Sequence, residues 1–422
     1  ALALAGCPEP CPAEPLAPTA EAPRWVARVN DRATVEAPTN PLPGPDPAID
    51  PPGTGRYAAF ALYPAEGPPL NDRWLDSFTR WDGATVSVDA ATTVPRALPP
   101  GELTLLAAAG GRPILGFSLA TGAPLTEVAP WDTPPTAGGQ LVDRVRLDAG
   151  TAVASRARTE DGRGSDLVRL DLLEGAGPEP LALSALSPGP VRPGRLARLG
   201  EDTVLVGLAL PDEPGAGAVA VVNARTGDTR RVDLPGLRSC VSVVALPPDP
   251  DAPDEARAGV LCTADPTAPP GARAGVGFAL VAVEDGGAVR VAATRPAEEL
   301  FADRPPTGGL VALAGDWVAA VSRGDPSAGR PDALLAADLS SDAGALLYEE
   351  AWTERWGEAL GEGGYAADLA ELRWPSVQGG ILRWQMRGEG PSAAFTPLEA
   401  APAPGCSRLP VRVVRALPAA TP

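Results

Sequence analysis

Short apolar runs separated by turns make up most of the chain from about residue 84 onward. A typical unit has an apolar run, a Gly- or Asp-containing turn and a second apolar run, as at residues 114–128 and 218–234. Further apolar runs stand ahead of several such units, including residues 203–208 and 317–321. Short apolar runs bounded by glycine, proline and aspartate are typical of β-strands joined by hairpins.

These turns recur along the chain at a nearly regular interval. Successive turn glycines are separated by roughly 39, 53, 52, 59, 58 and 44 residues; they are Gly83, Gly122, Gly175, Gly227, Gly286, Gly344 and Gly388. Repeats near this length, with about four strands each, are typical of a β-propeller, in which four-stranded blades surround a central channel. We therefore predict an all-β fold with seven blades, although six or eight would also fit the pattern.

Two stretches have the spacing of a helix instead. Four apolar residues on one helical face predict a short helix over residues 71–81; they are Trp74, Leu75, Phe78 and Trp81. The spacing of Trp352, Trp356 and Leu360 suits the buried stripe of a second helix, near residues 352–372.

The chain divides into four segments by composition. Residues 1–7 are apolar and end at a cysteine, residues 8–55 are rich in proline, residues 56–417 carry the repeats, and residues 418–422 form a tail. Proline-rich sequence favours an extended spacer. We therefore expect residues 8–55 to form a tether, with one strand at residues 25–29, ahead of the propeller.

The first seven residues suggest attachment to a membrane. The sequence Leu4-Ala5-Gly6-Cys7 follows an uncharged Ala/Leu stretch and resembles a bacterial lipobox, the end of a lipoprotein signal peptide. This resemblance implies that Cys7 is the lipidated residue and that the protein is an outer-membrane lipoprotein of the bacterial envelope, facing the periplasm or the cell surface. The alternative is an ordinary structural cysteine after a chance apolar run.

Four cysteines remain once Cys7 is set aside, an even number that an exported chain would oxidise. They are Cys11, Cys240, Cys262 and Cys406. Three pairings are possible, and the sequence alone does not choose among them. Cys240 and Cys262 stand on two apolar runs separated by a Pro/Asp-rich loop, so they would face each other across a hairpin. Cys11 and Cys406 would then join the two ends of the chain. No CxxC pair supports the competing use as zinc ligands.

Composition excludes several classes of chemistry. The chain has no His and no Lys, so all 35 basic residues are Arg. Catalytic triads based on His, His-ligated zinc and Lys Schiff bases are therefore impossible. The net charge of −18 argues against nucleic acid as a partner, since nucleic-acid binding depends on basic surfaces. The same charge would repel anionic headgroups, so membrane attachment requires a lipid.

The turns also carry a family resemblance. The pattern of strand, Asn or Asp, two residues, Thr-Gly and strand occurs closely at Thr226-Gly227, and a similar Thr-Gly turn occurs at Thr121-Gly122. It resembles the blade motif of bacterial quinoprotein-like and YncE-like propellers. The glycine of this turn supplies the positive φ needed where the two outer strands reverse.

One candidate ligand platform stands near the C-terminus. Flat aromatic faces and Arg forks can bind sugars and carboxylates, and the residues concerned are Trp352, Trp356, Trp374, Trp384, Arg373 and Arg383. Buried packing of the same side chains is the alternative. We assign no catalytic residue and no metal site. We expect no cofactor, although calcium bound by carboxylates at the channel mouth is conceivable.

These observations favour a non-catalytic, lipid-anchored propeller that serves as an interaction or scaffold module for envelope or surface proteins. The alternative is an envelope enzyme that depends on carboxylates or calcium, such as a glycoside hydrolase or a lactonase-like propeller. A bound calcium, or two carboxylates about 5 to 10 Å apart in a cleft, would favour the enzyme.

Overall fold

The protein is described by a computed structural model. The residues it describes are 24–30, 57–67, 74–80, 88–90, 102–105, 115–118, 124–125, 140–148, 151–157, 165–171, 179–183, 186–213, 215–249, 251–263, 274–284, 288–302, 304–325, 327, 329–352, 359–378, 380–388, 390–401 and 411–417.

The strands form seven four-stranded antiparallel sheets, which we call blades 1 to 7. Blade 1 contains β1 (Trp25–Asn30), β2 (Tyr57–Tyr63), β3 (Trp74–Arg80) and the last strand, β28 (Val411–Ala416). Blade 2 contains β4 (Val88–Ala90), β5 (Glu102–Leu105), β6 (Leu115–Ser118) and β7 (Pro124–Leu125). Blade 3 contains β8 (Gln140–Arg146), β9 (Thr151–Ala157), β10 (Asp166–Asp171) and β11 (Glu179–Leu181).

The remaining blades follow in chain order. Blade 4 contains β12 (Arg192–Arg198), β13 (Thr203–Ala209), β14 (Ala218–Asn223) and β15 (Thr229–Asp233). Blade 5 contains β16 (Ser242–Ala245), β17 (Ala256–Cys262), β18 (Gly277–Val283) and β19 (Val289–Pro296). Blade 6 contains β20 (Gly308–Ala312), β21 (Trp317–Ser322), β22 (Asp332–Asp338) and β23 (Gly344–Glu350). Blade 7 contains β24 (Gly364–Ala366), β25 (Glu371–Ser376), β26 (Gly380–Arg387) and β27 (Ala394–Ala401).

The blades pack around a centre through their innermost strands. From blade 3 onward the first strand of each blade contacts the first strand of the next, and β24 of blade 7 contacts β28 of blade 1. This arrangement is a β-propeller, so the predicted all-β fold with seven four-stranded blades is confirmed.

Blade 1 is built from both ends of the chain. The order of its strands is β28-β1-β2-β3, and Ala27 of β1 lies opposite Val414 of β28. The C-terminal strand is thus the innermost strand of the first blade, next to β24 of blade 7. The propeller therefore begins at Trp25, inside the Pro-rich segment predicted as a tether and upstream of the expected boundary at residue 56.

Small apolar residues fill the space between blades. Successive side chains of a strand point to opposite faces of its sheet, and in blade 4 both faces are covered. Ala220 of β14 packs in one cluster with Val153 of blade 3, whereas Val219 packs in another cluster with Val260 of blade 5. Central strands buried on both sides are continuous apolar runs, and this is why the runs are conspicuous in the sequence.

The predicted helix at residues 71–81 is wrong, because residues Trp74–Arg80 form β3. Trp74 lies opposite Ala61 and Leu75 opposite Phe60 on β2, with a register shift between Ala58 and Phe60. The helical spacing covered fewer than three turns, too short to distinguish the two periods. Aromatic and β-branched residues also suit a strand, and pairing with β2 completes the blade.

The second predicted helix, near residues 352–372, is also wrong in its described part. Residues 364–376 form β24 and β25, joined by a single 3₁₀ turn at Ala367–Leu369. Residues 353–358 lie outside the described residues. One short helix that the sequence did not predict, α1 (Ala297–Phe301), follows β19. No helix among the described ranges is long and apolar enough to cross a membrane.

Six of the seven predicted turns lie between the third and fourth strands of a blade. At the clearest copy, the Asn223 side chain accepts hydrogen bonds from the amides of Arg225 and Thr226, and Gly227 adopts a φ of 79°. The Asn and the Gly of the motif thus supply the side-chain acceptor and the left-handed backbone that this turn requires. The turn at Asp82-Gly83 was misplaced, since it falls between blade 1 and blade 2.

Candidate functional site in the central channel

The strands that border the central channel carry an excess of positive charge in an acidic chain. The seven innermost strands contain two acidic residues, Asp89 and Asp143, and seven arginines. The arginines are Arg144, Arg146, Arg192, Arg195, Arg198, Arg412 and Arg415. The chain as a whole has a net charge of −18. By sequence, the innermost strands therefore carry more basic than acidic residues.

Four innermost strands are interrupted by a β-bulge. β8, β12, β20 and β28 each show a register shift against the neighbouring strand. A bulge inserts an extra residue, bends the strand and redirects a side chain. In β12 the shift lies between Pro193 and Leu196, so the bulge contains Gly194 and Arg195.

The backbone of this bulge is held by the two adjacent blades. The Ser155 hydroxyl of blade 3 donates to the Gly194 carbonyl at 2.7 Å, and the Arg195 amide donates to the Val241 carbonyl, next to blade 5, at 2.8 Å. The following amide donates to the Asp143 carboxylate of blade 3 at 2.9 Å. A Cβ on Gly194 would stand 2.1 Å from the Val241 carbonyl oxygen. Glycine is thus required beside Arg195, and the bulge is fixed on both sides.

The Arg195 side chain reaches across the channel. Its Nη2 lies 2.9 Å from Oε1 of Glu362, which precedes the first strand of blade 7, three blades away. Nη2 of Arg415, on β28, lies 2.6 Å from the other oxygen of the same carboxylate. Between 23 and 28% of each of these three side chains is exposed. One carboxylate therefore lies between two guanidinium groups, in contact with solvent.

Glu362 is positioned by the glycines on either side of it. A Cβ on Gly361 would lie 2.1 Å from the Arg412 carbonyl oxygen, and one on Gly363 would lie 2.1 Å from Cε3 of Trp374. Because neither glycine has a side chain, this segment lies close against β28. There the Glu362 N–H donates to the Arg412 carbonyl at 2.9 Å, and Glu362 forms a parallel β-bridge with Val413.

The charges of these side chains form a balanced network. Glu362 raises the pKa of Arg195 above its usual range, an effect that burial opposes and Asp143 assists. A planar guanidinium binds carboxylate or phosphate oxygens through parallel hydrogen bonds. Arg195, Glu362, Arg415 and Asp143, which we call the channel cluster, thus combine two positive and two negative charges.

A second group of interest is a buried carboxylate pair in blade 6. Asp332 and Glu350 lie directly opposite each other on β22 and β23. Asp332 is completely buried and accepts five hydrogen bonds, from the side chains of Arg323 and Trp352 and from three backbone amides, those of Gly324, Ala359 and Leu360.

Glu350, its neighbour, is also buried and bonded. Its carboxylate accepts from the Ser376 hydroxyl and, at 2.8 Å, from the Gln378 amide. Burial raises the pKa of Glu350, and nearby Asp332 adds to the rise, while the two donors oppose it. Both carboxylates are thus buried hydrogen-bond acceptors where blades 6 and 7 pack together.

The predicted aromatic platform is not assembled as an exposed surface. Trp374 and Trp384 are buried in the core between blades 6 and 7, and the Trp374 indole donates to the Gly361 carbonyl at 2.9 Å. Trp352 is half-buried with its indole on Asp332. Trp356 lies outside the described residues. The apolar faces of Trp374 and Trp384 contribute to packing, as the alternative interpretation of the sequence held.

The two arginines of the predicted platform form a buried ion-pair network. Arg373 and Arg383 lie opposite each other on β25 and β26, and both donate through Nε to one oxygen of Glu371, at 2.7 and 2.6 Å. Without Glu371 these like charges would repel. The Arg373 guanidinium also stacks over Trp25 of blade 1 at 4.5 Å from the ring centroid, and burial lowers its pKa. Arg373 thus joins the last blade to the first.

Two of the predicted disulfide residues are described. Cys240 and Cys262 form a disulfide within blade 5, between the residue two positions before β16 and the last residue of β17. Cys7, Cys11 and Cys406 lie outside the described residues, so the predicted lipidation and the Cys11–Cys406 pairing remain predictions. In the described part of the chain, no group of three or more His, Cys, Asp or Glu residues is placed to hold a metal ion.

The channel cluster was missed by the sequence interpretation. The available signals were the spacing of Arg192, Arg195 and Arg198 in one strand and a lone charged residue between glycines at Glu362. Neither signal shows which strands are innermost. The order of the blades in the ring and the bulge in β12 bring Arg195 to Glu362, which is 167 positions away in the sequence.

Comparison with known proteins supports the fold. No protein-family model matches the chain, and no curated protein sequence does. Among solved structures, a hypothetical selenium-binding protein from Sulfolobus tokodaii is 12% identical, with 94% of this chain and 93% of that chain covered and a TM-score of 0.53. The Cps50 (Swd1) β-propeller domain of Myceliophteria thermophila is 13% identical (78 and 93% covered, TM-score 0.45), and BamB from Moraxella catarrhalis is 15% identical (69 and 69% covered, TM-score 0.35). At these identities the likeness concerns the fold alone.

Proposed function

We propose that this chain is a lipid-anchored, non-catalytic β-propeller that serves as an interaction or scaffold module in a bacterial envelope or cell-surface assembly. Cys7 carries the lipid, and the propeller faces the periplasm or the cell surface. The seven-bladed fold supports a scaffold because its rigid ring presents two broad faces to other proteins.

The observation that carries the non-catalytic assignment is the buried Asp332–Glu350 pair. A carboxylate that performs acid–base chemistry must reach a substrate proton. Asp332 is instead completely buried and holds five hydrogen bonds, and Glu350 is bound to Ser376 and Gln378. These carboxylates stabilise the packing of two blades.

The position of blade 1 supports the anchoring proposal. Seventeen residues, six of them proline, separate Cys7 from Trp25. Pro-rich sequence extends by about 3.1 Å per residue, so this segment could hold the propeller up to about 50 Å from the membrane. Such a distance leaves room for a partner between the propeller and the bilayer.

Anchoring can be tested on the protein in its native membrane. We expect the intact mass of the membrane-bound protein to show a lipid adduct at Cys7, and a Cys7→Ser variant expressed with its natural leader to move to the soluble fraction. An unmodified Cys7 in the membrane fraction would contradict the proposal. Cys406→Ser is the matched control, since it removes a cysteine without touching the lipobox.

Docking can be tested by crosslinking in intact cells, followed by extraction in mild detergent. We expect specific envelope proteins to be recovered with the wild-type protein and to be lost when an exposed face of the propeller is altered. The alternative is an envelope glycoside hydrolase or lactonase-like enzyme using carboxylates or calcium, which would need carboxylates that reach a substrate. Recovery of a monomer with stoichiometric calcium, or with hydrolase activity abolished by Asp332→Asn in a folded protein, would establish that alternative instead.

A further inference from the structure

We infer that Glu350 is a proton-sensitive control on the connector between blades 6 and 7, and through it on Glu362 in the channel. The connector is the segment 359–363, which precedes β24 and carries Glu362. A proton on Glu350 keeps the connector closed over the seam of the two blades, and loss of that proton favours its opening. This inference does not depend on lipid anchoring or on docking, since it concerns contacts inside the ring.

The connector is held at its start by Asp332. Oδ2 of Asp332 accepts hydrogen bonds from the amides of Ala359 and Leu360, at 2.9 and 3.3 Å. These bonds are charge-assisted, and bonds of this kind are stronger than those between neutral groups. Two residues further on, Glu362 enters the channel cluster. The position of Glu362 therefore depends on how well Asp332 holds the connector.

The connector also packs along the end of β25, next to Glu350. Leu360 forms an antiparallel bridge with Ser376, and backbone hydrogen bonds lie on either side of this bridge, at 3.0 and 3.1 Å. The Ser376 hydroxyl donates to the Glu350 carboxylate. Glu350 is thus linked to the connector through one residue. Because Glu350 is only 5% exposed, opening of the connector would admit water to its carboxyl group.

A negative charge on Glu350 has less support than the one on Asp332. The two residues lie directly opposite each other on β23 and β22. Asp332 receives the guanidinium of Arg323 at 2.9 Å, whereas the Ser376 hydroxyl and the Gln378 amide that bond Glu350 are neutral donors. Like charges directly opposite each other on neighbouring strands are destabilising, and a low local dielectric strengthens the effect. Ionised Glu350 therefore repels the carboxylate that holds the connector.

The surroundings of Glu350 favour its protonated form. Burial, the largest effect, raises the pKa of Glu350; Asp332 on β22 adds to the rise, while the two hydrogen-bond donors and Arg412 on β28 oppose it. Tyr348 on β23 stays neutral, because burial and Glu350 raise the pKa of its phenol. The chain has no His, the side chain that ordinarily titrates near neutral pH, so a buried carboxyl is the group suited to respond.

The sign of the response follows from proton linkage. In the closed connector the pKa of Glu350 is raised, and in the open connector water returns it toward the ordinary value of 4.5. Protonated Glu350 therefore stabilises the closed form fully below pH 4.5, and this contribution is lost as the pH rises through the raised pKa. We expect the connector to open more readily as the pH rises.

Opening can be measured by hydrogen–deuterium exchange and mass spectrometry on the full chain, from about pH 5 to about pH 8. Exchange rates are corrected for the intrinsic effect of pH on amide exchange. We expect protection of residues 359–362 to fall with rising pH, by up to roughly tenfold per pH unit, the limit for release of one proton. Amides of β14 in blade 4 are the internal reference and should not follow this change.

The variants test the residue. Glu350→Gln has no ionisable group and should remove the pH dependence, leaving the connector as protected as in the wild type at low pH. Glu213→Gln is the matched control, because hydrogen bonds from Arg231 and Ser187 lower the pKa of Glu213, and it should keep the wild-type response of the connector. Ser376→Ala removes a donor that lowers the pKa of Glu350, so it should move the midpoint of the response to higher pH. This variant covers the case in which Glu350→Gln does not fold.

Several results would overturn the inference. They are protection of the connector that does not change with pH after correction, a wild-type slope in folded Glu350→Gln, and a midpoint that stays in place or falls in Ser376→Ala. An equal change in the amides of β14 would also overturn it, because it would show unfolding of the whole ring. None of these results bears on membrane attachment or protein docking, so failure here is distinguishable from failure of the proposed function.

Discussion

Individual polar residues inside this propeller connect neighbouring blades. Ser155 and Asp143 of blade 3 hold the bulge of blade 4, Glu362 joins blades 4, 7 and 1, and Asp332 joins β22 to the chain that enters blade 7. Small apolar side chains provide burial but little directionality. Hydrogen bonds from buried polar groups fix the angle at which neighbouring blades meet.

Asp332 offers the clearest test of this role. The Asp332 carboxylate accepts five hydrogen bonds. In Asp332→Asn, one of its oxygens becomes an NH2 group, which would point its N–H donors at groups that are themselves donors. We expect the free energy of unfolding in urea to fall by about 3 to 5 kcal/mol, the usual cost of breaking a buried charged network.

Asp342→Asn is the matched control for this substitution. The Asp342 side chain is 85% exposed and lies 3.4 Å from Arg295, so its loss should change the free energy of unfolding by less than about 0.5 kcal/mol. Equal effects of the two substitutions would show that burial of Asp332 does not stabilise the protein.

Glu350 predicts a pH dependence of stability. Its pKa is raised above the ordinary value of 4.5, so the folded protein keeps this proton where the unfolded chain releases it. The stability that protonated Glu350 contributes is complete below pH 4.5 and is lost as the pH rises through the folded-state pKa. We therefore expect wild type to lose stability relative to Glu350→Gln between pH 4 and pH 8, measured by urea unfolding.

Glu213 gives the opposite slope and serves as the control. Hydrogen bonds from Arg231 and Ser187 lower its pKa, so its contribution is present above pH 4.5 and is lost as the pH falls. Wild type should gain stability relative to Glu213→Gln as the pH rises. Slopes of the same sign for both variants would contradict the assignment of burial as the dominant effect at Glu350.

At the scale of elements, the sequence predicts hairpins better than it predicts isolated strands. The Thr226-Gly227 turn was correctly located because its residues satisfy a local backbone requirement. β3 was mistaken for a helix because its identity depends on pairing with β2, a tertiary contact that a short spacing pattern cannot show. The predicted number of blades was correct. However, the turn assigned to the first blade, at Asp82-Gly83, is not its outer hairpin, which joins β2 to β3.

The disulfide of blade 5 is the element-scale cross-link. Cys240 and Cys262 are 22 residues apart, and closing a loop of this length restricts the unfolded chain by about 3 kcal/mol in the loop-entropy model. We expect the double variant Cys240→Ala/Cys262→Ala to lose about that much stability, measured by urea unfolding under oxidising conditions.

The same variant separates the two predicted disulfides. Reduction of the double variant should cause a further loss of stability when Cys11 and Cys406 are paired, and no further loss when they are free. A double variant as stable as wild type under oxidising conditions would show that the cross-link does not stabilise blade 5.

At the scale of the whole molecule, closure of the ring is the feature that the sequence predicted least well. Local patterns place a strand near Trp25 but assign it to a tether, because its neighbours are Pro-rich and its partner strand lies nearly 400 residues away, at Val411–Ala416. The channel cluster was missed for the same reason, since Glu362 meets Arg195 and Arg415 only once the blades form a ring. Long-range pairing therefore determines both the fold and its candidate site.

Ring closure predicts that the last strand is indispensable. A chain ending at residue 410 lacks β28, so β1 loses its inner partner and Glu362 loses Arg415. An unpaired strand edge beside the apolar seam of Trp25 and Tyr63 favours association with other chains. A chain ending at residue 417 keeps β28 and is the matched control. We expect the longer chain to elute as the full-length protein does in size-exclusion chromatography and to unfold at the same urea concentration, whereas the shorter chain should aggregate or unfold at a clearly lower one. If both truncated chains matched the full-length protein, β28 could not be the strand that closes the ring.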